Sequence, residues 1–290
     1  MIKFIFPEYK YLGSAFNNLA DGRFSINRFP NQEMYVTLKT NVKNEDCLVA
    51  GSITPPDENL IAMLFLSHTL KKEGADKITL FLPYLAYARH DKQKPGESLV
   101  TEEIGRLLKV SNVSSIVTIE AHSQKLEDFY HIPVTSLSTT KLFASVIKKL
   151  NLNNPVFVAP DEGSLKKAQD LFDESGKKGS VTYFKKKRST GGKITSVLQA
   201  QVSGVAIIID DMLDTGGTLV TACEHLQTKG VKDIYILVTH GLFTGEKWHK
   251  LWDLGVKKIY CTDSIPNPDF AKNPNIEVLS IKPIIEEYLR

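Results

Sequence analysis

One stretch constrains this chain more than any other: Val205-Ala-Ile-Ile-Ile-Asp-Asp-Met-Leu-Asp-Thr-Gly-Gly-Thr218. Val205 to Ile209 is apolar without alternation and mostly β-branched, and turn residues bound it. That pattern predicts a parallel strand buried on both faces. From Leu219 the residues Leu-Val-Thr-Ala-Cys-Glu-His-Leu predict a helix. The acids and glycines between them therefore stand at the carboxyl end of a strand and the amino end of a helix. In open α/β sheets ligands bind at that place.

The composition of the turn narrows the ligand. Gly216 and Gly217 carry no Cβ, so the backbone can turn tightly and approach a bound group. Their amides, with those of Thr215 and Thr218, form a concave anion nest at a helix start, and the two hydroxyls add donors. Asp210, Asp211 and Asp214 would repel a phosphate unless they face hydroxyls or a metal. Asp210 and Asp211 suit vicinal sugar hydroxyls. The combination points to a sugar phosphate, against the plain alternative of a capped strand–turn–helix with no ligand. No Gly-x-x-x-x-Gly-Lys-[Ser/Thr] segment occurs in the chain, so the loop is not a Walker A loop.

The rest of the chain alternates strand and helix patterns. Strands are predicted at Cys47 to Ala50, Lys77 to Leu82, Ser115 to Ile119, Val156 to Ala159, Val181 to Phe184, Ile234 to Thr239 and Lys258 to Cys261. Helices are predicted at Leu60 to Leu70, Glu102 to Leu108, Lys141 to Leu150, Ser164 to Phe172 and Pro283 to Leu289. This alternation predicts an α/β fold of parallel sheets covered by helices. Gly74-Ala-Asp-Lys-Ile78, Gly230-Val-Lys-Asp-Ile234 and Gly255-Val-Lys-Lys-Ile259 repeat one helix-end-to-strand joint. A glycine at C′ before a β-branched strand explains all three. Their placement in both halves predicts two similar domains, 1–140 and 141–290, with the last helix returning to the N-terminal one.

Composition excludes several classes. The 290 residues suit two modest domains, and a net charge of +3 gives no general signal for nucleic acid. Cys47, Cys223 and Cys261 fit no zinc or disulfide framework, which predicts a reducing, cytoplasmic setting. The opening Met-Ile-Lys-Phe-Ile-Phe-Pro-Glu is too short and too soon charged for a signal peptide, and no apolar stretch nears the roughly 20 residues that span a bilayer.

Asp-Asp-Met-Leu-Asp-Thr-Gly-Gly-Thr resembles the loop that binds 5-phosphoribosyl 1-diphosphate (PRPP) in type I phosphoribosyltransferases and in ribose-phosphate pyrophosphokinases. Four further segments select the second family. Phe29-Pro-Asn-Gln-Glu33 resembles its ATP-contacting Phe-x-[Asn/Asp]-Gly-Glu, with Gln32 in the glycine's place. Leu82-Pro-Tyr-Leu-Ala-Tyr-Ala-Arg-His-Asp91 resembles its Pro-Tyr-x-x-Tyr-Ala-Arg-Gln-Asp. Ile119-Glu-Ala-His-Ser-Gln124 and Ala159-Pro-Asp-Glu-Gly163 are similar to its Asp-Leu-His-x-x-Gln and Ser-Pro-Asp-x-Gly. The motifs follow family order from about residue 28 to residue 266, nearly the whole chain.

The resemblance implies two phosphoribosyltransferase-like domains, each with a mainly parallel sheet flanked by helices. The first would bind ATP and the second ribose 5-phosphate. It implies transfer of the pyrophosphoryl group of ATP to the C1 hydroxyl of ribose 5-phosphate, giving PRPP and AMP, with Mg2+ as cofactor. It also implies a homo-oligomer built on dimers, a hexamer among the options, and no membrane or nucleic-acid partner. Lys186 and Arg188 match a catalytic Lys-x-Arg pair. On an extended segment they share one face, while Lys185 and Lys187 share the other. Read alone, Lys-Lys-Lys-Arg is a solvated basic turn. Ser189-Thr-Gly-Gly-Lys193 after it would act as a lid.

Phe29, Asn31 and Glu33 match residues that hold adenine. Arg89, His90 and Asp91 match the ATP-phosphate segment, His90 replacing the usual Gln. Arg89 alone also reads as a structural partner of Asp91. His122 and Asp161 match residues beside the metal and ATP. Read alone, His122 is a hydrogen-bonding group near the triphosphate, because Mg2+ prefers oxygen ligands. Asp161 alone reads as a cap for the helix near Ser164. Asp210, Asp211, Asp214, Thr215, Gly216, Gly217 and Thr218 would hold ribose 5-phosphate. His240 reads as a satisfied, exposed loop histidine. Glu120, His131, Thr135 and a Lys92–Glu97 loop one residue shorter depart from the family. Two other functions share part of this pattern: a non-catalytic regulatory subunit, and a transferase that consumes PRPP. The second would not need the Arg89 segment.

Overall fold

The computed structural model describes all residues except 91, 93, 94, 124, 189–193, 200, 201, 203 and 267–271, and gives backbone alone for 186–188 and 194–197. The chain divides into two compact units, Met1–Leu137 with Lys282–Arg290, and Ser138–Ile281.

The first unit contains β1 (Ile2–Ile5), β2 (Ala20–Asp21), β3 (Phe24–Arg28), β4 (Met34–Leu38), β5 (Cys47–Ala50), β6 (Ile78–Leu82), β7 (Ser115–Ile119) and β8 (Val134–Leu137). Its helices are α1 (Glu58–Lys72), α2 (Val100–Val110) and α3 (Leu126–Tyr130), and a 3-10 helix covers Pro7–Phe16. Six strands form one sheet in the order β2-β1-β5-β6-β7-β8, and every neighbouring pair is parallel. β3 and β4 form a separate antiparallel hairpin.

The second unit contains α4 (Thr140–Lys149), β9 (Val156–Ala159), α5 (Leu165–Ser175), β10 (Ser180–Arg188), β11 (Ile194–Leu198), β12 (Gly204–Leu213), α6 (Gly217–Thr228), β13 (Val231–Gly241), β14 (Val256–Thr262) and β15 (Ile276–Leu279). A 3-10 helix covers Lys247–Leu251. The sheet order is β11-β10-β9-β12-β13-β14-β15, and only the β10–β11 pair is antiparallel. Apart from β11, this sheet repeats the first: second strand at the edge, then first, then the remaining four in chain order. The two units are thus copies of one mainly parallel design. The closing helix α7 (Lys282–Tyr288) packs on the Pro7–Phe16 helix of the first unit, where Asn18 Nδ2 donates to the carbonyl of Leu289 at 3.5 Å.

β12 explains why its sequence does not alternate. Ala206 and Ile208 enter one core with Leu219, Val220 and Leu226 of α6. Ile207 and Ile209 enter the other, with Phe143 and Ile147 of α4 and Ala168 and Leu171 of α5. Both faces are covered, so both must be apolar. The three repeated glycines have positive φ: 92° at Gly74, 83° at Gly230 and 84° at Gly255. At Gly255 a Cβ would also stand 2.8 Å from the carbonyl oxygen of Lys232, so the joint excludes any larger residue there.

Cys47, Cys223 and Cys261 are buried free thiols. Among the described residues no helix is long and apolar enough to cross a membrane.

Candidate functional site

The expected strand Val205 to Ile209 extends to Leu213, so Asp210 and Asp211 lie within β12 rather than in the turn after it. Asp210 pairs in register with Val238 and Met212 with His240. Consecutive strand residues point to opposite faces, so the two carboxylates are not side by side by pleat. Asp210 instead folds back, and its Oδ1 accepts from the Asp211 amide at 3.0 Å.

β9 lies beside β12, Val158 opposite Ile208. The segment after β9 therefore leaves the sheet next to the acids. There the Asp161 carboxylate accepts from the Ser164 amide at 3.1 Å, and the Ser164 hydroxyl reaches Asp210 Oδ1 at 3.3 Å. Ser164 is the N-cap residue of α5, so Asp161 does support that helix start, as its plain reading holds. It also takes part in an acidic cluster. Burial, then the charge of Asp211, push the Asp210 carboxyl up to about 8, with Asp161 adding and the Asp211 amide opposing. Sequence reasoning missed Ser164 as the bridge. Its place directly after Asp161-Glu-Gly163 ties it to that acid, but not to Asp210 on another strand.

The glycine turn is held from three sides. The amides of Leu242 and Phe243 donate to the Leu213 carbonyl at 2.9 and 3.0 Å, and the Thr244 amide donates to the Asp214 carbonyl at 3.1 Å. Gly216 is the N-cap of α6 with φ 80°. A Cβ there would stand 2.7 Å from Trp248 Cβ and 2.8 Å from its Cα. Both the left-handed φ and the close approach therefore demand glycine. At Gly217 a Cβ would stand 3.3 Å from Lys247 Nζ. Lys247 and Trp248 escaped the sequence reading because nothing in their spacing ties them to the turn. Thr215 and Thr218 are exposed at its mouth.

His240 differs from expectation. It is 2 % exposed, on β13 rather than in an exposed loop, and its Nδ1 lies 2.8 Å from the Ser264 hydroxyl. Thr139, Thr239 and Thr262 complete a buried hydroxyl cluster with Ser264. The histidine is satisfied, but as part of the core.

β10 is a single strand to Arg188, and its last residues pair antiparallel with β11, Lys186 opposite Ser196 and Arg188 opposite Ile194. The backbone is thus extended through Lys186 and Arg188. Their side chains, and Ser189 to Lys193, lie outside the described residues.

In the first unit, Phe29, Asn31 and Glu33 occupy the tip of the β3–β4 hairpin. Phe29 is 50 % exposed and packs against Tyr35 in a tilted pair, with ring centroids 4.6 Å apart and planes at 31°. The Glu33 amide donates to Asn31 Oδ1 at 3.2 Å. Gln32 has φ 71°, which explains why a glycine suits this place. Arg28 spans the tip, bonding the Gln32 carbonyl at 2.7 Å and Glu58 at 2.8 Å.

β6 and β7 are parallel neighbours, so the segments carrying Arg89, His90 and His122 leave the sheet at one end. The hairpin residues stand on a different sheet. Tyr87 donates to Asp57, and Thr101 Oγ1 donates to the Tyr87 carbonyl at 2.9 Å, which fixes the backbone before Arg89. His90 Nε2 lies 3.1 Å from Glu97. Arg89 and His122 are exposed, and Asp91 lies outside the described residues. Among the described residues no three His, Cys, Asp or Glu side chains converge as a metal cage.

A duplicated, mainly parallel α/β architecture with an acidic strand end and a glycine turn defines the phosphoribosyltransferase-like class. Residues 14–111 match the N-terminal domain of ribose phosphate pyrophosphokinase, and residues 185–290 match the phosphoribosyl synthetase-associated domain. Ribose-phosphate pyrophosphokinase A of Dictyostelium discoideum is 29% identical over 279 residues, 94% of this chain and 87% of that protein. The ribose-phosphate pyrophosphokinase of Aquifex aeolicus (strain VF5) is 30% identical over 268 residues, 91% of this chain and 86% of that protein. The crystal structure of phosphoribosylpyrophosphate synthetase from Mycobacterium smegmatis matches with TM-score 0.88 and 28% identity, covering 100% of this chain and 97% of that one. The chain belongs to the ribose-phosphate pyrophosphokinase family.

Proposed function

We propose that this chain is a ribose-phosphate diphosphokinase that makes PRPP and AMP from ATP and ribose 5-phosphate. The family likeness along nearly the full chain supports this reading. The observation that carries it to the site is the glycine-locked turn beside the Asp161–Ser164–Asp210 cluster. The turn's amides take the 5-phosphate at the start of α6. Asp210, Asp211 and Asp214 accept from ribose hydroxyls. The raised Asp210 carboxyl marks a place short of positive charge or donors, which hydroxyls or a cation relieve.

In the reaction the C1 hydroxyl oxygen attacks the β-phosphorus of ATP. The bond from that phosphorus to the α,β-bridging oxygen breaks, AMP leaves, and the hydroxyl proton passes to solvent. Such transfers depend on positioning and on charge stabilisation. Lys186 and Arg188 would stabilise the charge on the non-bridging oxygens. Mg2+ carried with the triphosphate would supply further neutralisation there. A carboxylate with water-completed coordination suits this ion, which makes Asp161 the fitting protein oxygen; His122 is assigned a contact to the triphosphate or to metal-bound water. Phe29 offers an exposed ring for adenine, Asn31 and Glu33 its edge contacts, and Arg89, His90 and Asp91 the phosphate contacts. Arg suits phosphate because its planar fork bonds two oxygens at once.

The chain is taken to work in the cytoplasm as a homo-oligomer built on dimers, which sedimentation of the purified protein tests. The activity test is AMP release from ATP and ribose 5-phosphate, with Mg2+ and with excess EDTA. AMP formed only with both substrates and Mg2+ is expected. Nucleotide binding without AMP release would overturn the proposal in favour of a non-catalytic relative.

A further inference from the structure

We infer that Lys247 is an additional phosphate-binding residue of the glycine turn, one that sets the affinity for a sugar monophosphate. The inference rests on the placement of ribose 5-phosphate proposed above and deepens it. The ammonium of Lys247 stands 3.3 Å from the point a Cβ on Gly217 would occupy, and Gly217 is the first residue of α6. The carrier of this lysine is fixed. Trp248 packs its Cα and Cβ against Gly216, is 4 % exposed, and meets Phe243 edge-on with centroids 5.0 Å apart.

Lys247 is exposed, so its ammonium is open to an anion arriving at the helix start. A helix start carries a partial positive charge, and a lysine beside it adds another. Among the described residues no ion pair within 4 Å engages Lys247. Its neighbour Glu246 turns to His249 at 3.4 Å, and the 214 carbonyl is taken by the Thr244 amide. A phosphate dianion lying between this ammonium and the helix start is attracted by both, since charge-assisted contacts are the strong ones. Lysine serves such a site as a point charge on a flexible stem. Its contact is to the phosphate and not to the reacting C1 centre. It therefore acts on substrate affinity, not on the chemical step.

The test is steady-state kinetics in ribose 5-phosphate at saturating Mg-ATP for wild type, Lys247→Ala, Lys247→Gln and Lys247→Arg. Calorimetric titrations with ribose 5-phosphate and with unphosphorylated ribose accompany it. Losing one charged contact should raise the KM for ribose 5-phosphate about tenfold in the Ala and Gln variants, with kcat within about twofold and the KM for ATP unchanged. The Arg variant should recover most of the affinity, and ribose titrations should not distinguish the four proteins. Unchanged KM in both Ala and Gln variants refutes the role of Lys247. If Gly216→Ala abolishes ribose 5-phosphate binding in the same series, the function stands and only this inference falls. If the wild type itself binds no ribose 5-phosphate, both fall. An Arg variant as weak as Ala, with a lowered Tm, would assign Lys247 to packing and likewise overturn the inference.

Discussion

Replacing Asp210 with Asn should stabilise the ligand-free protein while damaging its function. Asp210 is pressed between Asp211 and Asp161 in a partly buried place, and its carboxyl is raised to about 8 from an ordinary value near 3.8. The sign follows from proton linkage. Between those two values the folded state holds a proton that the unfolded state has released. Stability therefore falls as pH rises from about 4 to about 8. Each unit of such a shift corresponds to about 1.4 kcal/mol as an upper limit. Relaxation and partial solvation reduce the total, and the expected cost at pH 8 is about 1–3 kcal/mol. Asn keeps a carbonyl oxygen for the Asp211 amide and the Ser164 hydroxyl, so it removes the charge and little else. In a chain of this size the relief should raise the apparent Tm by roughly 3–6 °C at pH 8, with almost no gain near pH 4. The assay is a thermal melt of both proteins in EDTA from pH 4 to pH 9. A gain that does not depend on pH, or a loss at pH 8, would mean that the Asp210 charge does not strain the folded state. In parallel, ribose 5-phosphate should stabilise the wild type more than Asp210→Asn, because binding to the folded state adds stability in proportion to affinity. A site that gains stability when its charge is removed is one shaped for a ligand.

Three further outcomes are expected. Gly216→Ala should lose about 2–4 kcal/mol by chemical denaturation, because its φ of 80° and the 2.7 Å approach to Trp248 leave no room for a methyl group. Gln32→Gly should gain about 0.5 kcal/mol, the left-handed strain of a non-glycine residue exceeding glycine's extra chain entropy, whereas Gln32→Ala should gain nothing in the same measurement. Lys186→Ala and Arg188→Ala should each lower kcat by about 100-fold or more with little change in either KM, and an equal loss from Lys185→Ala with none from Lys186→Ala would place the catalytic face on the other side of β10.

Strands buried on both faces were the most legible elements. Val156 to Ala159 and Ser115 to Ile119 have the bounds the sequence predicts, because continuous β-branched runs between turn residues admit few other states. β1 is as buried, but its Ile-Lys-Phe-Ile carries a charge that breaks the pattern. Lys3 is nonetheless 6 % exposed, its ammonium donating to the Phe16 carbonyl at 2.8 Å. β3 and β4 alternate weakly, and their short turn carries Gln32 rather than glycine, so the usual hairpin signal is missing. β2, of two residues, is too short to have a period.

In the site, the glycines were legible because backbone geometry restricts the residue type. Ser164, Trp248 and Lys247 were not. Their roles arise where separate segments meet, which spacing along the chain does not encode. His240 shows the same limit in reverse: the loop-like Thr-His-Gly sequence lies on a strand that runs on to Gly241, held by a hydroxyl cluster drawn from three segments.

On the proposed function, a diphosphoryl group moves intact from ATP to the C1 oxygen of a ribose 5-phosphate seated on the glycine turn. Phosphorus NMR of a reaction containing the full chain, Mg2+, ATP and ribose 5-phosphate follows that transfer atom by atom. AMP should form together with a sugar bearing one diphosphate at C1 and one monophosphate at C5, in equal amounts. Formation of ADP with a sugar bisphosphate, or persistence of both substrates unchanged, would rule out diphosphoryl transfer at this turn.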